Sequence, residues 1–201
     1  MQYNSRRMII TVFDTETTGL FNSKLPIEEN TLEYFPYVLQ FSWIVFDTKT
    51  YKSREYDYYI KCPIPVPPES TNCHGITTSM SLARGHSFKK TFAIFKECMD
   101  QCDLIVGHNL HFDITVLKAE CLRNQIPFEL TKPTYCTMKS TTKLCGLGKY
   151  PRLGFLHEFL FHEEAENLHS SMIDVLVCIR CYMKLMHSVD ICEKVKKLRR
   201  F

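Results

Sequence analysis

Two carboxylates separated by one residue, Asp14 and Glu16, close the apolar run Met8 to Phe13. Residues two apart on a strand face the same way, so both acids come to lie side by side at the strand's C-terminal end. Like charges that close are costly unless a cation neutralises them, and hard oxygen ligands suit Mg²⁺ or Mn²⁺ rather than zinc. A solvated strand end accounts for the pair equally well, so the pair alone decides nothing. Asp113, in GHNLHFD, follows the apolar segment DLIV. It falls in the first turn of an expected helix, where the helix dipole favours a carboxylate and end-capping is the plain explanation. Asp174, in LHSSMIDVL, sits among Met172, Val175, Leu176 and Ile179 on an expected helix. An aspartate in such company needs a partner or a metal.

His169 lies five residues before Asp174. Five steps of about 100° would leave the two on different sides of an ideal helix. His169 is therefore expected in a loop just before that helix. From there an imidazole, the side chain that ordinarily titrates near neutral pH, can take a proton from a water at the acids. A lone histidine is more often structural, and this one gains meaning only beside the four acids.

The elements that must position these residues alternate along the chain. Met8 to Asp14 reads as a buried strand followed by the turn Thr17-Thr18-Gly19. Residues 21–36 read as a loop, and Tyr37 to Asp47 with Tyr51 to Ile60 as an antiparallel hairpin across Thr48-Lys49-Thr50. The proline-rich CPIPVPPES is expected to be an irregular connection, because proline supplies no ladder donor. Phe88, Phe92, Phe95 and Cys98 share one helical face, with Ser87 as the N-cap. Leu104 to Val106 and Thr134 to Cys136 read as short strands, and His111 to Asn124, Leu153 to Phe161 and Ser170 to Met186 as helices. The order β-β-β-α-β-α-β-α-α, without linker or repeat, predicts one α/β domain over residues 1–189 and a short basic tail over 190–201.

Composition narrows the class. A chain of 201 residues, 45% hydrophobic and 23% charged, can bury one sizeable core and is neither a coiled coil nor a disordered tail. No apolar run approaches the roughly 18 residues that cross a bilayer. Arg6 and Arg7 precede an apolar stretch too short for a signal peptide, and ten scattered cysteines show no disulfide framework. The expectation is an intracellular protein, cytoplasmic or nuclear, with reduced thiols. The last twelve residues hold five basic and two acidic side chains, which leaves the body neutral. Whatever draws anions to that body must be local.

Taken together, FDTETTGL, GHNLHFD and HSSMID resemble, in order, spacing and context, the three exonuclease motifs of the DEDDh family within the DnaQ-like, RNase H-like superfamily. The family pattern is D-x-E followed by T-G, then N-x-x-F-D, then H-x4-D. Asp14, Glu16, Thr18-Gly19, Asn109, Phe112-Asp113, His169 and Asp174 satisfy each part. Ser170 stands where the tyrosine variant of the family has its tyrosine, which assigns the histidine subclass. HGIT at His74 to Thr77 is similar to the segment after the third strand in proofreading relatives, and the likeness spans about residues 8–187.

The resemblance implies an RNase H-like fold with a mixed sheet of about five strands. It also implies 3′ to 5′ exonucleolytic release of nucleoside 5′ monophosphates by two Mg²⁺ ions, with Mn²⁺ able to substitute. By the same resemblance Asp14 bridges the ions, Glu16 and Asp174 complete the nucleophile side, Asp113 supports the other and His169 is the general base. Thr17, Thr18, Leu20, Ile76 and Asn109 match substrate contacts. Leu20 and Ile76 stand at the two sides of the terminal base, and Asn109 orders the second motif through substrate or by capping its helix. Ile76 fits a buried helix start equally well. The substrate is a nucleic acid with a free 3′ end, with single-stranded DNA the first choice and RNA the alternative. Proofreading would take a polymerase in trans. A non-catalytic interaction module on the same fold is a third reading, disfavoured by the intact acids.

Other signals are weaker. Cys178 with Cys181 and Cys98 with Cys102 lie on expected helices without finger-like partners and read as core. Lys139, Lys143, Lys149 and Arg152, interrupted by Gly146 and Gly148, read as a flexible basic loop that either guides phosphates or is simply solvated. Phe21, Tyr34, Phe35 and Tyr37 suit base stacking but more simply fill the core.

Overall fold

The computed structural model of the chain describes residues 6–21 and 24–192. Strands β1 (Ile9–Thr17), β2 (Val38–Asp47), β3 (Ser53–Tyr59), β4 (Leu104–Gly107) and β5 (Thr134–Cys136) form one sheet in the order β3-β2-β1-β4-β5. β2 pairs antiparallel with β1 and with β3, whereas β4 runs parallel to β1 and to β5. The helices are α1 (Pro68–His74), α2 (Thr78–Arg84), α3 (Phe88–Gln101), α4 (Leu110–Arg123), α5 (Thr137–Cys145), α6 (Leu153–Phe161) and α7 (Ser171–His187). This mixed sheet is the RNase H-like architecture expected from the motifs.

Alternation along β1 decides what each face receives. Phe13 joins Phe41, Trp43, Phe92, Phe95 and Val116 in a core on the side of α3 and α4. Ile10 and Val12 join Ile44, Phe46, Val106, Val175, Ile179 and Met183 on the side of α7. Continuing by twos, Asp14 and Glu16 belong to the α7 side, beyond the last apolar layer. β2 is buried along its whole length because both faces are covered, which explains its nearly continuous apolar sequence. Burying one side chain such as Ile179, fully enclosed in α7, contributes about 1.5–3 kcal/mol.

Several local expectations are corrected. The proline-rich run is irregular only as far as Pro67: Pro68 occupies the first turn of α1, where a missing N–H costs nothing, and Gly75 at φ +75° ends that helix. Thr77 then caps α2 through its side chain. Lys139 and Lys143 lie on α5, a helix closed by Gly146 at φ +65°, so only Lys149 and Arg152 belong to a loop. Ser87 takes the N-cap position of α3 without a side-chain cap bond. The loop over 21–36 contains a 3₁₀ turn at Glu29–Tyr34. Arg123 ties that turn down through the carbonyls of Leu32, Phe35 and Pro36.

At the other end, Ile191 is fully buried against α7 and Asp190 pairs with Arg180, so the fold continues past residue 189. The basic residues of the tail lie outside the described residues. No helix among the described residues is long and apolar enough to cross a membrane.

Candidate active site

The acids converge at the C-terminal end of β1. One ligand oxygen from each of Asp14, Glu16 and Asp174 lies within 4.8 Å of the others. β1 brings the first two by strand alternation, and α7 brings Asp174 across the same face in its first turn. Asp113 is not among those three and stands on the other face, near enough for its charge to act on Asp14 and Glu16. Thr15, pointing away from its acidic neighbours, donates to Asp113 Oδ1 from its backbone N–H (3.0 Å) and its hydroxyl (2.8 Å). The residue between the two motif acids thus anchors the third. Packing is close at Gly107, the end of β4, where a Cβ would stand 2.7 Å from Cδ1 of Leu110, the first residue of α4, and 3.3 Å from the Phe13 carbonyl oxygen.

Burial leaves its mark on every acid, and charge repulsion on Asp14, Glu16 and Asp113. Burial, then Asp113, Asp174 and Glu16, push Asp14 well above the carboxylate range. Burial and the charges of Asp174 and Asp113 raise Glu16 to about 8. Burial raises Asp113 to about 7 against the two Thr15 bonds, and burial raises Asp174 to about 7 against the His169 N–H. Four carboxylates that resist ionising together ask for a positive charge. Asp174 Oδ1 is buried without a hydrogen-bond partner, an acceptor left for something absent from the polypeptide. An all-oxygen donor set with an orphaned carboxylate oxygen fits a hard divalent cation.

His169 stands, as its spacing requires, just outside α7. Its φ is +71°, its side chain is exposed and its N–H donates to Asp174 Oδ2 at 3.3 Å. The remaining positions are distributed unevenly. Leu20 is 87% exposed beside the acids' strand end and packs into no core. Thr17 donates its hydroxyl to the Gly19 carbonyl, and Thr18 receives the Tyr37 N–H, so both hydroxyls shape the turn. Ile76 is 2% exposed and packs with Leu39, Cys62 and Val66, which makes it a core residue. Asn109 is exposed at φ +59° and makes no side-chain cap, which removes capping as its role. Phe21 stacks on Phe112 and packs at a tilt against Phe35, and Tyr37 lies under Arg123, while Tyr34 stays exposed. Cys98, Cys102, Cys178 and Cys181 are buried thiols on or beside helices.

Besides Thr15, a second residue at the site was not singled out by sequence reasoning. His74, ending α1, accepts the Ile76 N–H at Nδ1, which leaves Nε2 to donate to the Thr17 carbonyl at 3.2 Å. Burial, with the nearby His169 contributing, lowers its pKa. It bolts the segment after the hairpin onto the end of β1. Its only sequence signal was membership of HGIT.

The exonuclease family model of the RNase T group matches residues 11–182. The chain belongs to this exonuclease family. Among solved structures the fold is similar to E. coli Exonuclease I in complex with a dT13 oligonucleotide, with TM-score 0.67 and 18% identity over 94% of this chain and 43% of that one. It is also similar to the zinc-bound E. coli Exonuclease I–ssDNA complex, with TM-score 0.66 and 19% identity over 90% of this chain and 41% of that one. The nuclease domain of 3′hExo, a DEDDh family member bound to rAMP, matches with TM-score 0.68 and 14% identity over 90% of this chain and 93% of that domain. The chain thus spans about two fifths of Exonuclease I and nearly all of the 3′hExo nuclease domain. No curated protein sequence matches it.

Proposed function

We propose that this protein is a divalent-cation-dependent 3′ to 5′ exonuclease that releases nucleoside 5′ monophosphates from single-stranded DNA. The observation that carries the proposal is the convergence of Asp14, Glu16 and Asp174 within 4.8 Å, with a buried, unpartnered Asp174 oxygen, in a chain of the exonuclease family. Asp14, Glu16 and Asp174 would hold Mg²⁺, or Mn²⁺ in its place, and Asp113 would support a second ion from the other face of the sheet. Bound there, the ions supply Lewis-acid activation of water and of the phosphate ester.

The protein's own groups do the rest. His169, exposed and tethered by its backbone to Asp174, takes the proton of the attacking water and can pass it to solvent. Leu20 presents an open apolar face to the terminal base. Asn109, held in the left-handed conformation at the start of α4 with its amide free of a cap bond, faces the substrate's sugar or phosphate. The Thr17-Thr18 turn fixes the backbone on which the terminal nucleotide rests.

RNA is the second reading, and a specific observation favours it: one similar fold is a nuclease domain bound to rAMP. End-labelled DNA and RNA strands of matched sequence, incubated with Mg²⁺, separate the two. Faster stepwise shortening of DNA from the 3′ end is expected, and faster RNA shortening would move the proposal to RNA processing.

A further inference from the structure

Within its buried run β2 carries Gln40 and Ser42, which both face α7, besides Asp47 at its last position. Register places Ser42 opposite Asp14 and Gln40 opposite Glu16 on one side, with Ser42 opposite Asp57 of β3 on the other. Their hydrogen bonds form a closed circuit. Ser42 Oγ and Gln40 Nε2 both donate to Asp57 Oδ1, each at 2.7 Å. Since the single Ser42 hydroxyl proton goes to Asp57, Ser171 Oγ must be the donor in the 2.5 Å contact between the two serines. The Ser171 N–H donates to Gln40 Oε1 at 3.3 Å. Every proton points toward Asp57.

Ser171 is the first residue of α7, and the N-cap Ser170 makes no side-chain cap bond. The circuit therefore replaces the missing cap: Gln40 satisfies an N–H that the helix start leaves without an intrahelical partner. Asp174 is one turn further on, with its N–H on the Ser170 carbonyl and its Oδ2 on the His169 N–H.

We propose that Asp57, Gln40, Ser42 and Ser171 are positioning residues that set Asp174 and His169 against Asp14 and Glu16, with Asp57, exposed on the edge strand, as the anchor. The inference rests on the cation-site reading above. None of the four touches a reacting atom. Removing the Asp57 carboxylate leaves the Ser42 hydroxyl and the Gln40 amide without their acceptor, and α7 loses its fixed starting point. The gap that Asp174 closes on the other two acids then widens.

Mn²⁺ binding to the purified protein without nucleic acid, measured by calorimetry or by loss of the free-ion electron paramagnetic resonance signal, tests this directly. Asp57→Ala is expected to raise the Mn²⁺ dissociation constant about tenfold, in line with other residues that orient metal ligands. Asp57→Asn, which keeps the acceptor oxygen, is expected to stay within about twofold of wild type. Ser171→Ala probes the other end of the circuit and should weaken binding in the same sense even if Asp57→Ala fails to fold. Arg54→Ala on the same edge strand is the control and should leave binding unchanged. A role in stability alone would lower the melting temperature of Asp57→Ala and Ser171→Ala with Mn²⁺ affinity intact, and that result overturns the proposal. Wild-type protein that takes up no Mn²⁺ would overturn the site reading itself and the positioning role of the circuit with it.

Discussion

Neutralising Glu16 should stabilise the protein when no divalent cation is present. Burial and the neighbouring acids raise its pKa from 4.5 to about 8, so the folded state holds a proton that the unfolded chain gives up earlier. The sign follows from linkage: a carboxyl with a raised folded pKa costs nothing below about pH 4.5, costs progressively more as pH rises, and reaches its full cost above about pH 8. At about 1.4 kcal/mol per unit, the full shift corresponds to roughly 4–5 kcal/mol. Screening at this partly open site reduces that to about 2 kcal/mol. For a domain of this size, about 1 kcal/mol moves the melting temperature by about 2–4 °C. Glu16→Gln in EDTA at pH 8 should therefore melt roughly 4–8 °C above wild type, and the difference should shrink toward zero at pH 5. Thermal unfolding followed by circular dichroism reads both. Saturating Mg²⁺ should erase or reverse the order, because a cation at about 100 times its dissociation constant stabilises wild type by about 2.7 kcal/mol. A Glu16→Gln variant that melts at or below wild type in EDTA at pH 8 would refute the argument that the acids repel one another in a cation-free cluster.

Three further outcomes follow from the same geometry. His169→Ala should cut nucleotide release by about 10²–10⁴-fold at saturating substrate, as loss of a general base does, and leave Mg²⁺-induced thermal stabilisation in place; a rate within about threefold of wild type would remove His169 from proton transfer. Leu20→Ala should change stability by less than about 0.5 kcal/mol, since the side chain is 87% exposed, while raising KM for single strands several-fold. An unchanged KM would show that no base rests there. Thr15→Val deletes the 2.8 Å hydroxyl bond to Asp113 and should cost about 1–2 kcal/mol in chemical denaturation, with a weaker response to Mg²⁺; unaltered stability would mean that the bond holds nothing.

The acids were legible in the sequence because a strand's period of two and the company of Asp174 on an apolar helix are local signals. His169 could be placed for the same reason: five residues do not share a helical face with Asp174. What stayed hidden depends on long-range contacts. Nothing local says that Thr15 would grip Asp113 from the far face, a contact across 98 residues of sequence. The polar pair Gln40 and Ser42 inside a buried strand was a visible anomaly, but its partners come from β3 and from α7. α1 was missed because prolines mask a helix that starts on one of them, α2 because seven residues carry little periodicity, and α5 because glycines near its end suggested a loop. Ile76 faces the core rather than the site because the turn between α1 and α2 folds it against Leu39, a tertiary outcome that its neighbours in sequence do not specify.

The account is tested most directly by incubating 5′-end-labelled single strands of DNA and RNA with purified protein in Mg²⁺, Mn²⁺ or EDTA, beside Asp14→Ala. It predicts stepwise shortening from the 3′ end, faster on DNA, that requires the cation and is lost in the variant while its fold is retained. Shortening that survives EDTA or the Asp14→Ala change would contradict the assignment of catalysis to this cluster.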